Sequence, residues 1–376
     1  MLDHTHQNTK PTIYAAIELS KKSWVVAILR PNKDQPSIHR VKGGDVSELI
    51  AKLRGAAAHG ERLLICYEAG YDGFWLARSL DRAGIDCRVL DPASLQVNRR
   101  ARRVKTDRLD VLMLVRALVA VDRGDRHVCS IVRVPTIEEE DARRSHRERQ
   151  RLIRERTAHI NRIKGLFFGQ GIRGIEPLRK RSRVNLSEIR TAEGLPLPAR
   201  LRAEIEREFS RFDHVEEQLK AVEAERDTAD AQDPAVNQKR EMLIRLRGLG
   251  PASAAILSRE VFGRSFANRK QLGSYLGLTP SAYDSGSSTR CQGISKSGNS
   301  HARHMMIEVA WLWLKYQPQS ALAKWYTQRA AGQSPRIRRI MLIALARKLI
   351  VSLWHYVEGG IVPEGAVSVV EGAATA

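Results

Sequence analysis

The stretch IYAAIELSKKSWVVAILR, residues 13–30, decides how this chain begins to fold. IYAAIEL (13–19) and SWVVAILR (23–30) are apolar runs of strand length, rich in β-branched and aromatic residues. Only the polar tripeptide SKK separates them, which leaves room for a turn and little else. The stretch therefore predicts two consecutive strands of one sheet.

The rest of the first third alternates between strands and helices. The pattern predicts a strand over 38–43, a helix over 46–58, a strand over 63–69, a helix over 74–84, a strand over 87–91 and a helix over 106–120. Three strands without helices predict an antiparallel meander, and the later units predict parallel additions to the same sheet. This β-β-β-α-β-α-β-α order is that of a ribonuclease-H-like domain. A flavodoxin-type doubly wound sheet would instead need a helix after its first strand.

The remainder of the chain is predicted to be largely helical, so the fold class is α/β plus all-α. An arginine-rich helix (141–164), a loop or short helices (171–197), a long helix (199–227), a linker (228–240) and a final helical region (241–357) follow in order. We expect four parts: an α/β domain over 1–130, a basic helical and coiled-coil region over 131–235, a helical domain over 236–360 and a disordered tail over 361–376.

The long helix carries an apolar seam. Ile205, Phe212 and Leu219 are seven residues apart, and Val215 and Val222 follow the last two by three residues. Such an a/d pattern over about three heptads is typical of helices that pack along their length. An antiparallel hairpin within one chain and a dimerising coiled coil both account for it.

The charge of the chain favours a polyanionic partner. Lys and Arg number 63 against 42 Asp and Glu among 376 residues, which gives a net charge of +21 at pH 7. Nucleic acid is the expected partner, and an anionic membrane surface is the competing interpretation. We find no apolar run of the roughly 18 residues that a membrane-spanning helix needs, and no signal-peptide core near Met1. We therefore expect a soluble intracellular protein without a membrane partner.

Four acidic residues are candidates for a metal site. Glu18 and Glu68 end the first and fourth strands, and Asp107 and Asp110 are three residues apart on the following helix. In the predicted sheet these two strands are neighbours, so the carboxylates can converge. Hard oxygen ligands at an open site suit Mg²⁺ or Mn²⁺, and paired ions promote displacement at phosphorus. Ordinary surface acids are the alternative.

Two further segments are candidates for nucleic-acid binding. RRARRVKTDR (99–108) leads into the acidic helix, and a solvated charge run is its alternative interpretation. Gly248 and Gly250, between two apolar helices, resemble a helix-hairpin-helix turn, in which backbone N–H groups approach a phosphate; a plain helix turn is the alternative. The candidate phosphate contacts in the basic segment are Arg99, Arg100, Arg102, Arg103 and Lys105.

The stretch YDSGSSTRCQGISKSGN (283–299) is either a linker or a working loop. Ser285 stands beside Gly286, among several other serines. A serine hydroxyl needs a base or a metal to become a nucleophile, and no base is visible nearby in the sequence. Composition alone leaves both interpretations open.

The chain resembles, over nearly its whole length, the DEDD transposases of bacterial insertion sequences known as the "IS one-ten" family. The resemblance rests on ordered motifs: AIELSKKSW, CYEAGYDG, VLDPASLQ followed by KTDRLD, RLIRERTAHINRIKGLF, LRGLGPASAAIL, and LGLTP, the SG pair and ISKSGNSHARH. It implies a RuvC-like metal site formed by the four acids and a nucleophilic Ser285 that joins covalently to DNA. Gly286 would then let a phosphate approach, and Lys296, Asn299 and Arg303 would be contacts to it.

The resemblance also implies partners. Family members are guided by a structured bridge RNA and assemble as tetramers on two DNA sites, so we expect DNA, a guide RNA and a homo-oligomer, dimer to tetramer, in the bacterial cytoplasm at the nucleoid. The acidic site would meet Ser285 in a composite site, which would explain the missing base. One position departs from the family: Glu18 stands where Asp is usual. A RuvC-like structure-specific nuclease and an inactive nucleic-acid-binding remnant are the alternatives.

Overall fold

The computed structural model describes residues 11–92, 94–95, 106–125, 127–178, 185–285 and 288–369, with the backbone alone for 281–285 and 288–292. The chain divides into two compact units, Met1–Ile137 and Glu138–Ala376. Each unit is described separately below. The four-part division expected from the sequence stays a prediction.

The first unit contains a six-stranded mixed sheet. Its strands are β1 Thr12–Glu18, β2 Ser23–Leu29, β3 Ser37–Lys42, β4 Arg62–Glu68, β5 Asp86–Leu90 and β6 Ile131–Val132. Their order is β3-β2-β1-β4-β5-β6, with β1, β2 and β3 antiparallel and β4 and β5 added in parallel. The predicted meander with parallel additions is thus confirmed. Strand β6 pairs antiparallel with β5 and was not predicted, because two residues are too few to show a pattern.

Helices cover both faces of this sheet. They are α1 Val46–Ala56, α2 Trp75–Arg82 and α3 Asp107–Asp122. Along β1, Ile13, Ala15 and Ile17 pack in the cluster that contains α1 and α2, whereas Ala16 packs in the cluster that contains α3. This two-residue alternation follows from the pleat of a strand. It makes the unit a mixed α/β layer structure, as the sequence predicts.

The second unit is mostly helical, apart from one β-hairpin. Helix α4 Ile137–Asp141 begins at the boundary between the units, and the following elements are α5 Arg144–Phe168, α6 Ala199–Ala231, α7 Pro234–Ile244, α8 Pro251–Ile256 with a π-helical continuation Leu257–Val261, α9 Arg269–Tyr275, β7 Pro280–Ser285, β8 Ser288–Ile294, α10 Ser300–Tyr316, α11 Ala321–Ala330 and α12 Pro335–Gly359.

Helices α5 and α6 form an antiparallel pair. Arg149 of α5 pairs with Glu223 of α6 at 2.6 Å, and Arg156, farther along α5, pairs with Glu216, which comes earlier in α6, at 3.1 Å. The predicted seam is buried in this pair: Phe212 lies in one cluster with Ile163 and Phe167, and Leu219 lies in another with Leu152. The seam is therefore covered within the chain, as the hairpin alternative predicts. A dimerising coiled coil stays a prediction.

Two expectations for the second unit are wrong. Residues 228–240 are not a linker, because Asp233 caps α7 through its side chain and Pro234 occupies the first turn, a usual helix start. The tail is ordered over residues 361–369, where the Arg247 backbone N–H donates to the Val367 carbonyl at 3.2 Å and that of Val369 to Arg245 at 2.7 Å. For the stretch 283–299, whose composition leaves a linker and a working loop open, the structure shows β7 and β8 paired antiparallel, with a register irregularity between Pro280 and Ala282.

Helix α12 corrects the hydropathy expectation. An 18-residue window within its 25 residues reaches a mean hydropathy of 1.6, so length and composition alone would allow it to cross a membrane. Leu345, Leu349 and Leu353 are nevertheless fully buried in the core of the second unit, together with Trp313 of α10. A core helix passes the same hydropathy test as a membrane span.

Candidate active site

Glu18 and Glu68 lie side by side at the carboxyl edge of the sheet. The parallel register pairs Ile17 with Tyr67, so the two glutamates follow at the same level on neighbouring strands. Ala16 and Cys66, two residues earlier, both pack in the cluster beneath α3. Since alternate residues of a strand share a face, both glutamates project toward the α3 side. Both side chains are half-buried.

The start of α3 lies at the same edge. The Tyr14 hydroxyl donates to Asp122 at 2.8 Å, which fixes the end of α3 near the beginning of β1. The Cys66 thiol lies 3.5 Å from the Leu114 carbonyl oxygen, farther along both elements. The helix therefore runs antiparallel to β1 and β4, and its first turn, with Asp107 and Asp110, points toward the carboxyl edge. The Thr106 side chain caps this turn by accepting from the Leu109 N–H at 3.3 Å.

Asp107 is placed one strand away from Glu18. It lines a shallow pocket with Val25 and Arg40, and Val25 is the register partner of Glu18. Asp107 is exposed and Asp110 is half-buried. The structure thus brings all four predicted acids to one edge of the unit.

The donor chemistry of these acids suits a hard divalent cation, whose usual protein ligands are carboxylate oxygens. Among the residues that the structure describes, however, no group of three or more His, Cys, Asp or Glu side chains is close enough to hold a metal ion. The four acids share a location but not a ligand shell. The basic residues Arg99, Arg100, Arg102, Arg103 and Lys105, which precede this helix, lie outside the described residues.

Ser285 occupies the last position of β7. It pairs with Ser288 of β8, the last register pair of the hairpin. Gly286 lies outside the described residues. The predicted nucleophile therefore stands at the tip of a two-stranded arm.

The base of this arm is tightly fixed. The backbone N–H groups of Ser295 and Lys296 donate to the carbonyls of Thr279 and Gly277 at 2.9 and 3.2 Å. Lys296 adopts a left-handed backbone, with φ 59°. Arg303 donates to the carbonyls of Leu276 and Ser297 at 3.1 and 3.2 Å, which gives it a structural task, and burial lowers its pKa.

A buried acid that the sequence did not reveal holds the same region. Glu260 is 4% exposed; it accepts from the Asn299 side-chain amide at 2.7 Å and bonds His301 Nδ1 at 2.7 Å. Burial alone would raise its pKa, but the hydrogen bonds and charge of His301 lower it overall. Asn299 also caps α10 by accepting from the Ala302 N–H at 3.0 Å. The only sequence signal for Glu260 is a carboxylate inside an apolar helix.

Gly248 and Gly250 stand in the turn between α7 and α8. Gly248 has φ +93°, and a Cβ there would lie 3.3 Å from the Leu312 carbonyl of α10. Gly250 is the N-cap of α8, and a Cβ added there would meet open space. Gly248 is therefore required by packing, whereas the space at Gly250 is compatible with the approach of a ligand.

Comparisons with known proteins assign the chain to a class. A family model described as "Transposase IS116/IS110/IS902 family" matches residues 240–326, the segment that contains the β7–β8 hairpin. The chain is 44% identical over 376 residues to "Putative transposase y4rJ" of Sinorhizobium fredii, covering 94% of each protein.

More distant relatives carry related names. A transposase for insertion sequence element IS1328 of Yersinia enterocolitica is 24% identical over 77% of this chain and 82% of its own length. A transposase for insertion sequence element IS1111A of Coxiella burnetii is 26% identical over 84% of this chain and 81% of its own length. The class that these matches define is the transposase of an insertion sequence. The chain belongs to the IS116/IS110/IS902 transposase family.

Proposed function

We propose that this transposase cuts and rejoins DNA strands through a covalent bond between Ser285 and a DNA phosphate. The observation that carries the proposal is the position of Glu18 and Glu68 at one level of two neighbouring parallel strands, facing the start of α3. The fold is consistent with a RuvC-like, ribonuclease-H-like domain. The hairpin supports the choice of Ser285, because this residue is the last one of β7 and belongs to the final pair of the arm.

The reaction is an exchange of phosphodiester bonds. The Ser285 oxygen bonds to phosphorus as the bond from phosphorus to the leaving sugar oxygen breaks. The serine proton passes to solvent or to a carboxylate, and the leaving oxygen takes up a proton. An attacking sugar hydroxyl reverses these changes during rejoining, so no external energy source is needed.

Glu18, Glu68, Asp107 and Asp110 would hold Mg²⁺ or Mn²⁺. A bound divalent ion supplies charge stabilisation to the attacking and leaving oxygens. The carboxylates must move closer together to form a ligand shell. We expect this movement to accompany DNA binding. Arg99, Arg100, Arg102, Arg103 and Lys105, together with Lys296, would contact phosphates.

The partners would be the two ends of the element and a target DNA, with a structured guide RNA and a homo-oligomer of two to four chains, in the bacterial cytoplasm at the nucleoid. The net charge of +21 supports binding to nucleic acid of either kind. Sequencing the nucleic acid that co-purifies with the protein tests the guide: a single structured RNA supports it, and random cellular RNA contradicts it.

The covalent intermediate is tested by trapping it. We expect a denaturation-resistant protein–DNA adduct from the unaltered protein with Mg²⁺ and element-end DNA. Ser285→Ala should abolish this adduct, and Ser288→Ala, at the paired position across the hairpin, should retain it. Strand cleavage that persists in Ser285→Ala would instead favour a RuvC-like nuclease.

The composite site is tested by mixing two defective chains. A Ser285→Ala chain and a Glu68→Ala chain should together regain activity if each active site takes its serine and its acids from different subunits. A mixture that stays inactive, while each parent chain still binds DNA, contradicts this arrangement. Cleavage that is absent from the unaltered protein as well would favour the inactive remnant.

A further inference from the structure

A groove beside the base of the Ser285 hairpin has an apolar floor and a basic rim. It has a volume of about 630 Å³, within the roughly 300–1,000 Å³ of ligand pockets. Leu278, Ile294, Ile340 and Ile343 contribute to its floor. The rim is formed by Arg269, Lys270, Arg347 and Lys348. The lining, as far as the structure describes it, contains no acidic residue.

The rim cations are available for a ligand. Within the described part of the chain, none of the four forms an ion pair with an acidic side chain. Lys348 instead lies 5.0 Å from the centre of the Trp325 ring. Arg347 reaches across toward α9, where its Nε lies 3.4 Å from the Cβ position of Gly273. The cations therefore line the opening without an acidic partner among the described residues that would neutralise their charge.

The start of α12 extends this basic surface. Arg336, Arg338 and Arg339 stand in its first turns, are exposed and have no ion pair among the described residues. Cations at a helix N-terminus oppose the helix dipole and cost stability. Ile337 and Ile340 of the same turns are 38% and 50% exposed. Neither feature helps the fold, and both suit a ligand with phosphates and an apolar surface.

We infer that this groove binds an unpaired nucleotide of a DNA strand, with its base against the apolar floor and its flanking phosphates on the basic rim. A regular duplex keeps its bases stacked inside and would leave the floor empty. Pro280 and Gly293 of the Ser285 hairpin also line the groove, so a ligand bound there lies next to the proposed nucleophile's hairpin. The choice of DNA as this ligand therefore rests on the proposed function. Ser285 is five residues beyond Pro280, about 17 Å along a strand, or about five nucleotides at B-DNA spacing.

Arg269 and Lys270 allow a test that spares the fold. Both are exposed in the first turn of α9, and glutamine is a good helix former that removes cations from the positive end of the helix. The matched control is Arg207→Gln with Lys220→Gln, which removes the same two charges from exposed positions of α6. Binding of fluorescein-labelled single-stranded DNA by the full chain is measured against salt concentration.

We expect R269Q/K270Q to weaken binding about tenfold and to reduce the salt slope by about 1.4, the value for two lost phosphate contacts on a single strand. The control should change neither. Equal losses in the two variants would show that only bulk charge matters and would overturn the inference.

The base contact is tested with an abasic strand. The unaltered protein should bind a strand with one abasic site at the groove position several-fold more weakly than the intact strand, and Ile340→Ser should remove this difference. The inference would be overturned if the unaltered protein bound the abasic and intact strands equally well. It would also be overturned if the abasic site weakened binding only in duplex DNA or only in RNA. These binding results do not depend on catalysis, so a missing Ser285 adduct would contradict the proposed function alone.

Discussion

At the scale of single residues, Glu18 is the candidate metal ligand at which the family resemblance implies an aspartate instead. Its carboxylate stands at the end of β1 beside Glu68, and one additional methylene separates it from the backbone compared with aspartate. Glutamate and aspartate carry the same charge and offer the same carboxylate ligand. They differ only in the distance between the carboxylate and the backbone. The proposed metal site tolerates this change only if the other carboxylates adjust to it.

Two substitutions of Glu18 separate reach from charge. Glu18→Asp should keep adduct formation within a few-fold, because the shorter acid still offers two oxygens. Glu18→Gln should reduce it by at least about 100-fold, the scale of losses around metal ligands. Initial rates of adduct formation across a Mg²⁺ titration provide the measurement. Equal activity of Glu18→Gln and the unaltered protein would exclude Glu18 from the metal site.

His146 is a second residue whose role can be measured. It is 1% exposed, and both ring nitrogens are without a hydrogen-bond partner in the described structure. Burial lowers its pKa to about 4, with Arg226, His301 and Arg259 acting in the same direction and Glu260 against it. The folded state therefore resists protonation of this imidazole, whereas the unfolded chain accepts a proton below about pH 6.5.

Stability of the second unit should therefore fall as the pH drops from about 6.5 to 4, since the unfolded state binds the additional proton. His146→Leu removes this titration and should raise the melting temperature more at pH 5 than at pH 8. Thermal unfolding of both proteins at the two pH values gives the comparison. An identical shift at both pH values would contradict the expected titration of His146.

At the scale of elements, the β7–β8 arm depends on how its base is packed. Gly298 and Gly293 both have positive φ, +82° and +97°. A Cβ at Gly298 would overlap the Tyr275 carbonyl oxygen, whereas a Cβ at Gly293 would meet open space. The two glycines share a backbone conformation and differ in their surroundings, so they form a matched pair.

Alanine at these two positions should therefore have different effects. Gly293→Ala should cost about 1–2 kcal/mol, the price of a left-handed conformation. Gly298→Ala should cost a further 1–3 kcal/mol or so, because the overlap must be relieved by moving the loop. Chemical denaturation gives both values, and the Ser285 adduct should be lost first in Gly298→Ala. Equal costs would mean that the contact with Tyr275 does not fix the arm.

The elements also show what sequence patterns reveal. The first five strands of the first unit are runs of clear period, so their order and the pairing of β1 with β4 follow from the sequence, whereas the two-residue β6 does not. The β7–β8 hairpin has too few apolar residues to be recognised, and its pairing is held by a base formed elsewhere in the chain. The first half of helix α7 does not follow from the sequence, because its Asp-Pro start is equally typical of a linker.

The candidate site likewise contains residues that the sequence places correctly and residues that only the structure brings together. Glu18 and Glu68 could be placed together because parallel strands end at one edge. Glu260 and His301 are 41 residues apart and meet only through the packing of α8 and its π-helical continuation against α10. Pairwise contacts of this kind leave no period in a sequence. The direction of α3, which brings Asp107 to the carboxyl edge, likewise required the structure.

At the scale of the whole molecule, the net charge of +21 should make DNA affinity depend on salt, whereas adduct formation should depend on a metal ion. DNA affinity should fall about 10³–10⁵-fold between 50 and 200 mM salt if 6–10 phosphates are contacted. EDTA should abolish the covalent adduct and leave binding at low salt unchanged. Filter binding and denaturing gels on the same samples measure the two. Adduct formation that survives EDTA would contradict a metal-dependent reaction.

The ordered segment 361–369 has a practical consequence for anyone who prepares this protein. The Ala321 N–H, at the start of α11, donates to the Glu364 carbonyl at 3.0 Å. The Gln317 side-chain amide donates to the Val367 carbonyl and accepts from the Val367 N–H, both at 2.8 Å. The segment thus joins the end of α10, the start of α11 and the turn before α8. A truncated version that stops at the end of α12 would lose this fastening, so purification tags belong beyond Val369.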